Sequence, residues 1–231
     1  FILLSGCVPI LTAILARTFS SKTSVAMTAA LLSIFSFYYA PFMPATDNYP
    51  IYMLLGGLFF LLMARPQKYT YLLLGIVAGL MTFARSDGLL WLGIAVFAIV
   101  FQAPYKESGK TFREWSMSLG PFLFASFLGY LLIMGAWYLR NWELFHSPLA
   151  PGGIRLLWLK TYPEIFLYPA DQLTFQSFLD AGWVNALQNR ATALGANIGL
   201  AIASQGSIVL FPFTIMFLWR NRKDARVKTA I

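Results

Sequence analysis

Arg85 and Asp87 stand between two apolar runs, residues 71–82 and 89–101. One helix over both runs would be about 46 Å long at about 1.5 Å per residue, whereas a bilayer core is about 30 Å thick. Both charges would then lie near the middle of that helix, where charge is costly. The pattern therefore predicts a short helical hairpin at 71–103, with both charges at its tip near a membrane surface.

Four other residues could act together with this tip. Asp47 lies in a proline-rich loop, Arg140 and Asn141 follow another apolar run, and Arg155 lies farther along. Arginine can give a phosphate two parallel hydrogen bonds, and a carboxylate can hold a divalent cation such as Mg²⁺ or Mn²⁺ or take a proton. The arginines are therefore candidate phosphate contacts, and Asp47 is the one candidate metal ligand.

Each candidate also has a purely structural interpretation. Asp47 could cap the helix expected to begin near Tyr49. Arg85 and Asp87 could pair only with each other, and Arg140 could anchor a helix end at the interface. The sequence has no HExxH, P-loop or GxGxxG motif and only one cysteine, so zinc, nucleotide and hydrolase chemistry gain little support.

The composition indicates a membrane protein. Hydrophobic residues make up 58% of the chain and charged residues 11%, against about 25% charged residues in an average soluble domain. The net charge of +8 comes from basic residues in short loops between apolar runs, which argues against nucleic-acid binding.

The apolar runs predict an all-α, polytopic transmembrane helical bundle with about seven membrane segments. Gly88 is expected to supply a permissive backbone at the hairpin turn, and Gly75-x-x-x-Gly79 allows close helix contact in lipid. We treat the chain as one transmembrane domain over 1–231 with a single outer segment at 140–193. Since the sequence opens on an apolar run without Met, we expect it to be a fragment of a longer chain. The segments are 1–16, 24–39, 51–64, the two hairpin arms, 117–138 and 194–219.

The charge distribution predicts the orientation. In this topology 12 of the 17 Lys and Arg residues fall on one side of the membrane. Cytoplasmic loops carry the excess of basic residues, so that side is expected to be cytoplasmic. Asp47, Arg85 and the segment 140–193 would then share the extracytoplasmic face of a bacterial or archaeal plasma membrane.

Three motifs, in this order, resemble the GT-C superfamily of integral-membrane glycosyltransferases, near the protein O-mannosyltransferase and aminoarabinose transferase-like group. Pro44-Ala-Thr-Asp47 resembles the family's P-x-T-D segment. The stretch from Gly75 to Gly88, ending in Arg85-Ser-Asp87-Gly88, resembles its G-L-x-x-G-L-A-x-L-T-R-x-D-G segment. Trp137-Tyr-Leu-Arg140-Asn141, with Phe145 to Gly152, resembles its W-x-x-R-N and F-G-x-P-x-P-G segments, although His146 replaces a common glycine.

The resemblance implies sugar transfer from a polyprenyl-phosphate sugar donor to a glycan, lipid or protein acceptor on the extracytoplasmic face. The family's catalytic carboxylate lies in a first outer loop, which is expected upstream of Phe1. By analogy Asp47 would lie near the donor phosphate or a metal, and Arg85 and Arg140 would contact the phosphate.

Two other functions fit the same residues. A transporter or lipid-linked sugar carrier would place its sites near the bilayer midplane on broken helices, often within inverted repeats. Here most candidates fall on one face and no repeat is visible, which disfavours a carrier. A non-catalytic membrane scaffold would instead bind a partner protein through its outer segment.

Overall fold

The computed structural model describes most of the chain, and every regular element in that part is a helix. The described residues are 2–34, 48–64, 67, 69–85, 88–102, 111–149, 155, 158–161, 163–167, 170–204, 208–224 and 227. No strand occurs among them, so the predicted all-α class is confirmed.

Ten α-helices and one short 3₁₀ helix, Ala170–Gln172, are present in the described ranges. The α-helices are α1 Ile2–Phe19, α2 Thr23–Ile34, α3 Tyr49–Ala64, α4 Thr70–Ala84, α5 Leu89–Gln102, α6 Phe112–Phe145, α7 Glu164–Leu167, α8 Phe175–Asp180, α9 Trp183–Ala203 and α10 Phe211–Arg220.

Two helices, α1 and α6, are long and apolar enough to cross a membrane. They have 18 and 34 residues, and few of the residues in their apolar stretches are buried within the chain. The apolar helices α2 to α5 have 12 to 16 residues, fewer than the roughly 20 that a bilayer core needs. Helices of spanning length therefore number two in the described part of the chain, against about seven predicted segments.

Helix α6 is longer than its predicted segment, 117–138, and local capping explains where it begins. The Glu114 carboxylate accepts a hydrogen bond from the Thr111 backbone N–H at 2.9 Å, and the Thr111 hydroxyl accepts one from the Glu114 N–H at 3.3 Å. This reciprocal pair is a capping box, which satisfies two donors at a helix N-terminus. The helix therefore starts at Phe112, within what the sequence suggested was a polar loop.

The chain divides into two compact units, 1–135 with 204–231, and 136–203. The predicted outer segment, 140–193, falls inside the second unit. Its location outside the membrane remains a prediction.

The expected hairpin is present in the first unit. Helix α4 ends at Ala84 and α5 begins at Leu89, and the two arms share a buried cluster with α3. The cluster contains Phe59, Met63, Leu74, Val77, Met81, Ala95 and Ala98. Gly88 meets a requirement for space, because a Cβ there would overlap backbone atoms of Met81 and Thr82.

Helices α4 and α6 approach to backbone contact at glycines. A Cβ on Gly75 would overlap the Ser126 carbonyl oxygen, and one on Gly129 would overlap the Leu72 carbonyl oxygen. A Cβ on Gly79 would lie 2.8 Å from the Ile133 Cβ. The predicted role of the Gly75-x-x-x-Gly79 spacing in close helix contact is therefore confirmed, with α6 as the partner helix.

The predicted last span, 194–219, is wrong as a single helix. Helix α9 begins much earlier, at Trp183, and ends at Ala203, and α10 begins only at Phe211. Ile208 between them has a φ of 78°, which is incompatible with a continuing right-handed helix. Pro212 in the first turn of α10 suits a helix start, because proline has no N–H to donate to a preceding turn.

Alanine substitutions at Gly75 and Gly93 test the glycine contact. Gly75→Ala is expected to destabilise the protein by about 1–3 kcal/mol, since the new methyl group overlaps the α6 backbone. The control is Gly93→Ala in α5, where a Cβ meets nothing within 4 Å and alanine is the better helix former. Thermal unfolding of both variants in detergent or bicelles makes the comparison; equal loss of stability would contradict the contact.

Ser126 offers a second test at the same contact. Its hydroxyl is fully buried, and no hydrogen-bond partner for it is found in the described part of the chain. An unpaired buried hydroxyl costs about 1–3 kcal/mol, so Ser126→Ala is expected to leave the melting temperature unchanged or raise it. A clear fall in melting temperature would show that the hydroxyl has a stabilising partner.

Candidate functional site

Three helix ends meet at Arg85. The residue follows the last turn of α4, Tyr49 and Tyr52 belong to the first turn of α3, and Trp91 lies in the first turn of α5. These residues, with Asn48, are called the Arg85 corner below. Asn48, just before α3, contacts the end of α4.

The Arg85 side chain is half-buried and lies against two aromatic rings. Its Cζ atom is 5.6 Å from the centre of the Tyr52 ring and 5.9 Å from that of Tyr49. Both distances are within the range of about 6 Å for cation–π attraction. The aromatic rings therefore stabilise the guanidinium charge at the end of three apolar helices.

Two hydrogen bonds hold the corner together. The Trp91 indole N–H donates to the Tyr52 hydroxyl at 2.7 Å, and their rings meet edge to face at 6.1 Å. The Asn48 side-chain amide donates to the Ala84 carbonyl at 2.9 Å. That carbonyl lies in the last turn of α4, where no intrahelical donor remains for it. Helices α3, α4 and α5 are thus joined through polar atoms as well as apolar contacts.

The sequence analysis singled out Arg85, whose role in a site stays a prediction, and missed the aromatic residues that contact it. Tyr49 and Tyr52 are three positions apart, a spacing that puts both rings on one helical face. That spacing was an available signal. The Trp91–Tyr52 hydrogen bond joins residues 39 positions apart and had no local signal. Asp47 and Asp87 lie outside the described residues, so their predicted roles remain predictions.

Arg140 and Asn141 lie in the second unit, at the end of α6. The Arg140 Cζ atom is 5.1 Å from the centre of the Trp137 ring, and its guanidinium donates to the Asn141 side-chain oxygen at 3.4 Å. Asn141 is 1% exposed, and its amide donates to the Pro148 carbonyl at 3.1 Å. Asn141 therefore ties the end of α6 to the following turn, while the exposed Arg140 rests on its own helix.

Arg155 is half-buried in the same unit. No hydrogen bond between Arg155 and either Arg140 or Asn141 is found among the described residues. Their roles as substrate contacts remain predictions.

His146 adopts a backbone conformation that favours glycine. Its φ is 51°, in the left-handed region that favours glycine. The side chain is exposed. The turn after α6 therefore keeps the geometry that a glycine would adopt without strain.

The described part of the structure adds no candidate metal ligand to Asp47. No group of three or more His, Cys, Asp or Glu side chains is arranged to hold a metal ion in the described ranges. Asp47, the one candidate ligand, lies outside those ranges, so the Mg²⁺ or Mn²⁺ prediction is untested.

The chain matches no protein-family model, no curated protein and no solved structure. The resemblance to GT-C glycosyltransferases therefore rests on the three sequence motifs and their order. Chemically, the Arg85 corner is a fixed cation beside apolar surface, an arrangement that suits an anionic group on a lipid.

Two substitutions at His146 test the turn. His146→Gly is expected to raise stability by about 1 kcal/mol, because glycine adopts a φ of 51° without the penalty of about 1–2 kcal/mol that other residues incur. His146→Ala removes the same side chain but keeps a Cβ, and should be no more stable than the parent protein. Denaturation midpoints measured side by side check this. A glycine variant less stable than the alanine variant would contradict the left-handed turn.

Proposed function

We propose that this chain is part of a membrane glycosyltransferase that transfers a sugar from a polyprenyl-phosphate donor to an acceptor on the extracytoplasmic face. The observation that carries the proposal is the Arg85 corner, in which a guanidinium is held at the joined ends of apolar helices. A polyprenyl phosphate has the matching chemistry, since its tail lies in lipid and its phosphate lies at the lipid surface.

The cation–π contacts make Arg85 suited to a phosphate. Aromatic rings attract a guanidinium through its charge, while its N–H groups lie in its own plane and point outward from its edge. Two parallel N–H groups match two phosphate oxygens. Tyr52 is in turn held by Trp91 at 2.7 Å, so the ring that positions the cation is itself fixed. Fixed donors are the ones that stabilise charge on a leaving group.

The proposed reaction is an inverting transfer. An acceptor hydroxyl attacks the anomeric carbon, the bond from that carbon to the phosphate oxygen breaks, and polyprenyl phosphate leaves as the anion. Arg85 stabilises the charge on the leaving phosphate. The carboxylate that takes the hydroxyl proton is expected upstream of Phe1, as in the family.

The proposed topology is a polytopic bundle in which the shorter helices α2 to α5 insert into the membrane beside α1 and α6, which gives six of the about seven predicted segments. Their apolar composition supports insertion, and their lengths of 12 to 16 residues suit short or re-entrant segments.

One contact within the first unit supports the proposed orientation. The rings of Phe19, at the end of α1, and Phe217, in the last turn of α10, meet edge to face at 5.9 Å. Basic residues follow both helix ends, namely Lys22 after α1 and Arg222 and Lys223 after α10. Two loops assigned to the cytoplasmic side by their charge are therefore neighbours.

Replacing Arg85 tests the function in the full-length protein. Arg85→Ala is expected to lower turnover by about 100- to 1,000-fold, as the loss of one group that stabilises a developing anion usually does. Arg85→Lys should retain part of the activity because the charge remains while the paired donors are lost. The assay is release of free polyprenyl phosphate from labelled polyprenyl-phosphate sugars in membranes that contain the native acceptor.

The matched control is Arg17→Ala, which removes an exposed cation near the other predicted surface and should leave turnover unchanged. Release of polyprenyl phosphate at the normal rate by a folded Arg85→Ala variant would contradict the glycosyltransferase proposal. If the parent protein moves lipid-linked sugar across vesicle membranes but transfers no sugar to an acceptor, the result would favour the carrier. Absence of both activities would favour the scaffold.

A further inference from the structure

Helix α9, Trp183–Ala203, has a clear division between apolar and polar faces. At 100° per residue, Trp183, Leu187, Ala191, Leu194 and Ile198 fall within an arc of about 80°. On the opposite side the first three turns carry the polar residues Asn185, Gln188, Asn189 and Thr192, and the last two turns carry Ala196, Leu200 and Ala203. The pattern is that of an amphipathic helix, in contrast to the mostly apolar helices α2 to α5.

The large side chains of the apolar face are exposed. Trp183, Val184, Leu187, Leu194 and Ile198 are each more than half exposed, and Ala186, on a different side, is the one buried residue of the helix. Arg190 attaches α9 to its own unit: its guanidinium donates to the Leu159 carbonyl at 2.9 Å and lies 5.7 Å from the centre of the Phe178 ring. The helix is therefore anchored through Arg190, while Leu187, Leu194 and Ile198 of its apolar face stay exposed.

A row of aromatic side chains continues the apolar face beyond the start of α9. The Trp183 ring meets Phe178 at 6.4 Å, and Trp158 contacts Phe178 at 6.1 Å and Phe175 at 4.8 Å. Tryptophan and phenylalanine at the edge of an amphipathic helix are typical of segments that lie at a membrane–water interface.

The helix has the length of a membrane span but not its composition. Its 21 residues would cover a bilayer core, yet it is not among the helices apolar enough to cross one. Spanning would put Gln188, Asn189 and Arg190 into hydrocarbon, where polar groups without partners cost several kcal/mol each. A helix lying in the interface keeps Gln188 and Asn189 in water, and it leaves Arg190 at the interface with its partners Leu159 and Phe178.

We propose that α9 lies in the plane of the membrane, with the Trp183–Ile198 face inserted at the headgroup–acyl boundary of the bilayer. The bilayer is the occupant because the same chain contains α1 and α6, which by length and composition can cross a membrane and keep the chain at its surface. The inference rests on the membrane embedding of the chain and does not depend on glycosyl transfer.

Spin labels along α9 test this geometry. The full-length protein, with Cys7 and any other native cysteine replaced by serine, would carry one cysteine at a time: Val184→Cys, Leu187→Cys, Gln188→Cys, Thr192→Cys or Leu194→Cys. Each labelled protein is reconstituted in phosphatidylcholine vesicles, and collisions with oxygen, which enters lipid, are compared with collisions with a water-soluble nickel chelate. Leu128→Cys in the middle of α6 provides a membrane reference.

The expected result is an accessibility that alternates with the helical period. Labels at 184, 187 and 194 should favour oxygen at a depth of about 5–10 Å below the headgroups, shallower than the label at 128. Labels at 188 and 192 should favour the nickel chelate. Using two labels on the polar face and three on the apolar face keeps the comparison intact if one variant does not fold.

Four outcomes would overturn the proposal. Nickel access at every α9 position, with the label at 128 protected, would place α9 off the membrane. Oxygen preference at all positions would make α9 a span. Protection of the apolar face from both reagents would mean that protein, such as a second copy, covers it. Nickel access at 128 would remove the membrane embedding itself. The polyprenyl phosphate release assay is independent of all four.

Discussion

The charge of Arg85 has to be accommodated at the end of three apolar helices, and this requirement organises the first unit. A guanidinium next to hydrocarbon needs partners that are polarisable or that can accept hydrogen bonds. Here Tyr49 and Tyr52 provide aromatic faces, and the Trp91 N–H fixes one of those rings. Because Tyr49 and Trp91 belong to different helices, the charge can be held in this way only if α3 and α5 begin at the same end of the bundle.

The packing below the corner fixes how closely the helices approach. Gly75 and Gly129 bring the backbones of α4 and α6 into contact, and Gly88 lets the hairpin turn lie on the last turn of α4. In lipid the hydrophobic effect does not drive helices together, so close van der Waals contact at small residues becomes a main source of association. The glycines therefore set the position of α4, and α4 in turn sets the position of Arg85. The buried Ser126 hydroxyl lies at this crossing. There the backbone of Ser126 packs directly against Gly75, so the contact leaves no space for a larger residue at position 75.

The sequence predicted the features that depend on local pattern and missed those that depend on distant contacts. The helix break between Ala84 and Leu89 followed from bilayer thickness and the position of two charges. The close contact at Gly75 followed from residue spacing. The Tyr52–Trp91 and Asn48–Ala84 hydrogen bonds join positions 39 and 36 apart, and no local rule specifies them. The last predicted span failed for another reason: apolar content alone joined the end of α9 to α10, although the left-handed backbone at Ile208 is incompatible with one continuous helix.

The two arginines of the resemblance differ in what positions them. Arg140 rests on Trp137, one turn earlier on the same helix, so its orientation requires only that α6 be helical. Arg85 rests on tyrosines of another helix, so its orientation requires the assembled bundle. A perturbation that loosens the α4–α6 crossing should therefore move Arg85 and leave Arg140 in place. This separation makes Arg85 the residue whose geometry reports on tertiary structure. It also explains why short sequence motifs can point to both arginines, whereas the position of the Arg85 side chain depends on the tertiary fold.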